Sequence, residues 1–348
     1  MITTLIKNLA DGFAAGKDIY LEEPFSFLDS PDAAYTYLGQ AAANIDGNTC
    51  SAYAVVVTPN NDNDEECARR YIKDISPYII LDKMLAEYSG ALSVNFNKHT
   101  SLQKVLCCLQ LVKLVNDCTC PDNAHEEVFP IPVTWYDPDT HTDLDEDHKK
   151  SEKQKLFNDL AVAFGNQVDS FNTQHPLSTH IKDEMNVFEM HLREVLGNCE
   201  HARKDGKYGD LGFCGFLAHR HGKMICNLSI ITIGQTIQES EIAKSGQEFQ
   251  LIFEVDGIET NASAAAPLLE ILGLNDEQQL ASRRKRGGLY NFYATSGALS
   301  SNLDLAIASG DICFVHKEGE DNNPKRTVHL NRRHIPGTVI SSRFEVEL

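Results

Sequence analysis

The chain contains no run of eighteen apolar residues, the length a helix needs to cross a bilayer, so no membrane-spanning helix is expected. Its opening stretch, MITTLIKNLADGF, has one lysine and no long apolar core. It reads as the start of an amphipathic helix and not as a secretory signal. Catalytic signatures are missing as well: there is no GxSxG, no Walker A loop, no GxGxxG after a strand, no HExxH and no local cysteine–histidine nucleophile motif. The expectation is therefore a protein that is not an enzyme, with no catalytic residue and no cofactor. Positive charge is also scarce. Only 31 Lys+Arg stand against 50 Asp+Glu, a formal net charge of -19, which excludes a histone-like coat of cations.

What is present is a globular composition. Apolar residues make up 42% and charged residues 23%, and 348 residues suffice for a large core in one or two lobes. Ten cysteines without a secretory signal read as reduced, mostly buried thiols in an intracellular setting, which leaves the sequons at Asn227 and Asn261 without meaning.

The charge is unevenly placed. From Arg283 onward there are ten Lys+Arg against seven Asp+Glu, whereas the first 282 residues hold 21 against 43. The densest cation run lies in SRRKRGGLYNFYATSGALSS, where Arg283, Arg284, Lys285 and Arg286 precede Tyr290, Phe292 and Tyr293. Guanidinium forks match phosphate oxygens, and exposed aromatic rings stack on splayed bases, so these residues are the first candidates for nucleic-acid contact. KRTVHLNRRH adds Lys325, Arg326, Arg332, Arg333 and His334 in the same quarter of the chain. LAHRHGKMIC adds Arg220 and Lys223, read as lying on a helix that faces a polar cleft. Simpler readings stand beside these: cations at a helix C-terminus that only complement its dipole, a nuclear-import signal, or a processing site.

Punctuation suggests a mainly helical fold. Ser30 and Pro31 open a helix that closes near Gly47. SAYAVVVTP is a strand candidate, acids favour a helix over NNDNDEECARRYIKDI, and Ser76-Pro77 starts another helix that runs through Tyr88. TSLQKVLCCLQLVKLVND is apolar enough for a buried helix. The proline- and acid-rich stretch 118–147 reads as a long loop. Two long helices are expected over about 149–172 and 177–196, followed by a glycine-rich connection and a further, mostly helical segment through 216–240, although Ile230, Ile231 and Ile233 leave a strand open. EFQLIFEVDG reads as a strand, SAAAPLLEILG and NDEQQLASRRKR as short helices, and the C-terminal tail as a hairpin or extended arm. The resulting expectation is two helical lobes, 1–136 and 151–348, joined by an acidic linker at 137–150, with short strands at the margins and extended terminal arms.

Three metal readings are weaker. His219 and His221, with Cys214 and Cys226 near in sequence, could serve an intracellular metal-binding enzyme, but no CxxC pair frames them. Cys118, Cys120 and His125 lack a fourth ligand. DPDTHTDLDED lacks the glycine at position six and the glutamate at position twelve of a calcium loop. No metal is expected.

On LASRRKRGGLYNFYATSGALSSN and the general layout, the chain resembles the nucleoproteins of negative-strand RNA viruses. That resemblance implies a protein of the host cell interior and the virion. Two helical lobes would clamp single-stranded RNA by its phosphates, irrespective of sequence. Copies would join through heterologous contacts into rings or helical filaments. A coat subunit of another filamentous virus shares most of these features.

Overall fold

The structure is a computed structural model, and it describes residues 2–16, 18–21, 25–47, 53–57, 73–87, 92–95, 100–115, 128–136, 146–198, 210–240, 253–255, 258–260, 266–272, 274, 288–300, 302–318 and 324–348. In chain order the elements are α1 (Ile2–Ala10), β1 (Ile19–Leu21), α2 (Pro31–Asp46), β2 (Tyr53–Val57), α3 (Ser76–Glu87), β3 (Leu92–Asn95), α4 (Thr100–Cys108), β4 (Val128–Tyr136), α5 (Glu146–Gln174) and α6 (Thr179–Asn198). They continue with β5 (Asp210–Arg220), β6 (Lys223–Ile233), β7 (Phe253–Val255), β8 (Ile258–Thr260), α7 (Ala266–Ile271), α8 (Gly288–Leu299), β9 (Asn302–Lys317) and β10 (Lys325–Glu347).

The fold is not mainly helical, and this corrects the sequence expectation. Its centre is a five-stranded antiparallel sheet in the order β4-β5-β6-β10-β9. The segment expected to be helical across 216–240 is instead, as far as Ile233, the tight hairpin β5–β6, turning at His221 (φ 50°) and Gly222 (φ 74°). Two consecutive left-handed residues are what a two-residue hairpin loop requires. The expected long loop contains β4, and the expected C-terminal arm is β10, hydrogen-bonded between β6 and β9.

Both faces of this sheet are covered. On one face, Leu211, Phe213, Met224, Leu228, Leu305, Phe314 and Phe344 pack against Phe164, Phe188 and Leu192 of α5 and α6 and against Phe292 of α8. On the other face, Cys214, Phe216, Ile231, Ala306 and Val339 meet the N-terminal unit, whose α1, α2 and α3 contribute Leu5, Leu9, Leu38 and Ile79. That unit carries a separate parallel sheet in the order β1-β2-β3.

β9 doubles back on itself. Gly310 has φ +61°, its neighbour Asp311 is exposed between buried stretches, and Glu318 N donates to Leu303 O at 3.1 Å. The burial parity switches accordingly: Leu303, Leu305 and Ile307 share a face with Ile312 and Phe314. β10 follows this fold. Its first part pairs with the returning half of β9 (Lys325 opposite Lys317), and its last part pairs with the outgoing half (Arg343 opposite Asp304). The two parts are separated by register shifts between Leu330 and Thr338.

Candidate nucleic-acid interface

Strand register, more than sequence proximity, decides which cations meet. At the end of the sheet where β5 turns into β6, Lys223 lies opposite Glu347 and Asn227 opposite Arg343. Arg343 lies opposite Asp304, and Lys317 opposite Lys325. Lys223, Arg343, Lys317 and Lys325 thus form a row across one end of the sheet, on the face that carries the N-terminal unit. At roughly 4.8 Å per strand the row spans about 20 Å.

Acids are interleaved with this row. Lys223 Nζ pairs with Glu347 at 2.8 Å and Glu345 at 3.4 Å. Arg343 reaches Glu345 at 2.5 Å and Asp304 at 3.5 Å. Lys317 Nζ meets Asp29 at 2.8 Å, and Lys73 approaches the same carboxylate at 3.5 Å. Burial pushes the Asp304 carboxyl up, and the nearby cations Arg343, Lys73 and Lys317 pull it back. Lys325 is exposed and has no ion pair among the described residues.

On the opposite face of the same corner, α8 supplies Tyr293. Its hydroxyl lies 2.8 Å from Nδ1 of His316, and Arg326, cross-strand from His316, reaches the same phenol oxygen. Burial, with Arg326 beside it, lowers the His316 pKa to about 4, so the ring is neutral at physiological pH and Nδ1 accepts the Tyr293 proton. Burial also pushes the Tyr293 phenol up. The phenol is a protonated link between helix and hairpin.

The sequence candidates are therefore placed unevenly. Arg220 and Lys223 flank the β5–β6 turn, on strands and not on a helix, at the same sheet end as the cation row. Tyr293 is brought to Arg326, and Tyr290 lies half-buried one turn earlier on α8. Arg332 and Arg333 belong to β10 near the Gly310 turn, at the far end of the sheet. Arg283, Arg284, Lys285 and Arg286 lie outside the described residues, as do Cys118, Cys120, His125 and the acidic segment 137–145. Lys73, Lys317 and Arg343, with Asp29 and Asp304, were not singled out by sequence; Lys317 and Arg343 each stand alone among the cations of their own stretch.

The His219/His221 neighbourhood does not assemble a ligand set. Cys214 and Cys226 face opposite sides of the sheet. His219 stacks on His175 with ring centroids 4.0 Å apart, beside Phe129 and Phe171. Among the described residues no group of three His, Cys, Asp or Glu is placed to hold a metal. Burial raises the thiols of Cys214, Cys226 and Cys313 above their ordinary range, which leaves them as inert core groups. Among the described residues, no helix is long and apolar enough to cross a membrane.

No protein-family model, curated protein or solved structure matches the chain.

Proposed function

We propose that this chain is a single-stranded-RNA-binding protein of the nucleoprotein kind, which binds phosphates irrespective of base sequence and assembles with further copies along the strand. Binding and assembly, without a chemical step, are its activity in this reading, in the host cell interior and the virion. The contact is the cationic sheet end, in place of a cleft between two helical lobes.

One observation carries the reading. Lys317 and Lys325 are direct cross-strand neighbours, in a chain with a net charge of -19. Like charges directly opposite each other destabilise a sheet. Asp29 neutralises Lys317, but Lys325 has no ion pair among the described residues. A ligand phosphate across this pair turns the repulsion into two charge-assisted contacts. Tyr290, half-buried on α8, is the stacking candidate of this corner.

The test is binding of a labelled 20-nucleotide oligouridylate, followed over a salt series. Wild-type protein should bind with a linear loss of log affinity against log salt. Lys325→Glu should weaken binding about tenfold or more and flatten the slope by roughly 0.7 per lost single-strand phosphate contact. An unchanged affinity and slope for Lys325→Glu would remove this corner as the interface. Negative-stain images of the RNA-bound fraction report on assembly: rings or filaments are expected, and isolated particles would refute polymerisation.

A further inference from the structure

The acids of the corner carry information of their own. Asp29 is held in place from several sides. Ser26 Oγ accepts the backbone N–H of Asp29 at 3.0 Å and that of Leu28 at 3.1 Å. Asp74 accepts Phe27 N at 2.6 Å. The following residues, Ser30 and Pro31, open α2. The Asp29 side chain is 17% exposed, and it bridges Lys317 and Lys73, which come from β9 and from the segment leading into α3. A hydrogen-bonded loop thus places one carboxylate between two ammonium groups, one of them the cross-strand neighbour of Lys325, where a phosphate oxygen would make the same two contacts.

We propose that Asp29 is a specificity-determining residue of this corner: a built-in competitor that lets a polyanionic strand in and keeps single small anions out. The inference rests on the RNA reading above. Tethered at its site, the carboxylate acts at an effective concentration on the order of millimolar or higher. A mononucleotide or inorganic phosphate at lower concentration cannot displace it. A strand that is already held by Lys325 and its neighbours can, because its next phosphate is delivered intramolecularly too. The acidic residues along the row then serve selection by length of the anion, and not only solubility.

The experiment compares wild type with Asp29→Asn, which keeps the shape and removes the charge. Both are titrated with the labelled 20-mer over a salt series, and with labelled uridine monophosphate. Asp29→Asn should bind the 20-mer about tenfold tighter, with a slope steeper by roughly 1.4 for two freed lysines at about 0.7 each. Mononucleotide binding should become measurable only in the variant. Asp29→Ser, with an unchanged melting profile as the check on folding, should reproduce the tightening. If both variants bind the 20-mer no more tightly than wild type while Lys325→Glu still weakens binding, Asp29 merely organises the lysines and the inference is overturned. If no protein binds RNA, or Lys325→Glu and Asp29→Asn both leave affinity and slope unchanged, the corner is not an RNA interface and the inference falls with it.

Discussion

Replacing Asp74 with asparagine should destabilise the fold severely, because the residue is 1% exposed, precedes α3 and has its carboxylate fully engaged. Its Oδ1 accepts Ser76 N at 2.9 Å and the Ser341 hydroxyl at 2.5 Å, and its Oδ2 accepts Phe27 N at 2.6 Å and Leu28 N at 3.4 Å. One carboxylate therefore ties together the loop carrying Asp29, the start of α3 and the middle of β10. In Asp74→Asn one oxygen becomes an NH2 group, and whichever way the amide turns it faces donors. At least two buried groups lose their acceptor, at about 1–3 kcal/mol each, for a total of about 3–5 kcal/mol. Unfolding entropy of about 2.1 cal/mol/K per residue over 348 residues converts this to a fall in Tm of about 4–7 °C. Urea titration and differential scanning calorimetry measure it. Burial outweighs the donors and raises the Asp74 pKa, so the native state holds this proton more tightly than the unfolded chain. Stability from this group is therefore greatest below the unfolded carboxyl pKa of about 3.9 and declines as pH rises through the folded value, so the gap between wild type and Asp74→Asn narrows in that window. A fall in Tm under 1 °C, or a gap that widens with pH, would refute this account.

Other consequences are equally open to measurement. Gly337 has φ +127°, and a Cβ there would collide with the Thr232 carbonyl oxygen, so Gly337→Ala should lose about 2–4 kcal/mol; an unchanged urea midpoint would contradict the bulge geometry. His221 is held at φ 50° in the β5–β6 turn, and His221→Asn should gain about 0.5 kcal/mol in urea titration, since Asn tolerates that conformation better. His316 titrates near 4 in the fold against about 6.5 unfolded, so its contribution to stability is present above 6.5 and lost on acidification towards 4; His316→Gln should flatten stability against pH in that range. Peptide mapping after iodoacetamide treatment should find Cys214, Cys226 and Cys313 unmodified until urea unfolds the chain, and labelling of native protein at these positions would contradict their burial.

The helices were legible wherever punctuation marked them. Ser30, Pro31 and Gly47 bracket α2, Ser76-Pro77 opens α3, and Pro176 and Ser178 separate α5 from α6. β2 was legible from its three consecutive valines. The central sheet was not, for a physical reason. Its strands are buried on both faces, so LGFCGFLAHR and KMICNLSIITI show continuous apolar runs without the alternation that marks a half-exposed strand. His221-Gly222, centred between two such runs of equal length, was the available hairpin signal. β4 was masked by Pro130 and Pro132, which an edge strand tolerates. The opposite error occurred after α4. Leu109, Leu111, Leu114 and Val115 are buried as a helical pattern demands, yet Gln110 at φ 60° ends the helix, and Asp82 caps the turn beyond it by accepting Lys113 N at 2.8 Å and Leu114 N at 2.9 Å.

The proposed interface was harder to read than the fold, because a strand presents alternate residues to each face and a sheet collects them from distant stretches. A search for cation runs finds Arg283–Arg286, but it cannot find Lys223, Arg343, Lys317 and Lys325, which are separated by between 8 and 120 positions and meet only through register. The same geometry explains how a chain of net charge -19 can hold a cationic row at all. Among the described residues, each lysine or arginine in the row except Lys325 is matched by a carboxylate on a neighbouring strand or loop, so the folded chain carries little of the repulsion the row would otherwise create. Within the described residues the row is balanced everywhere but at Lys325, its outer end, which is where the proposed phosphate contact begins.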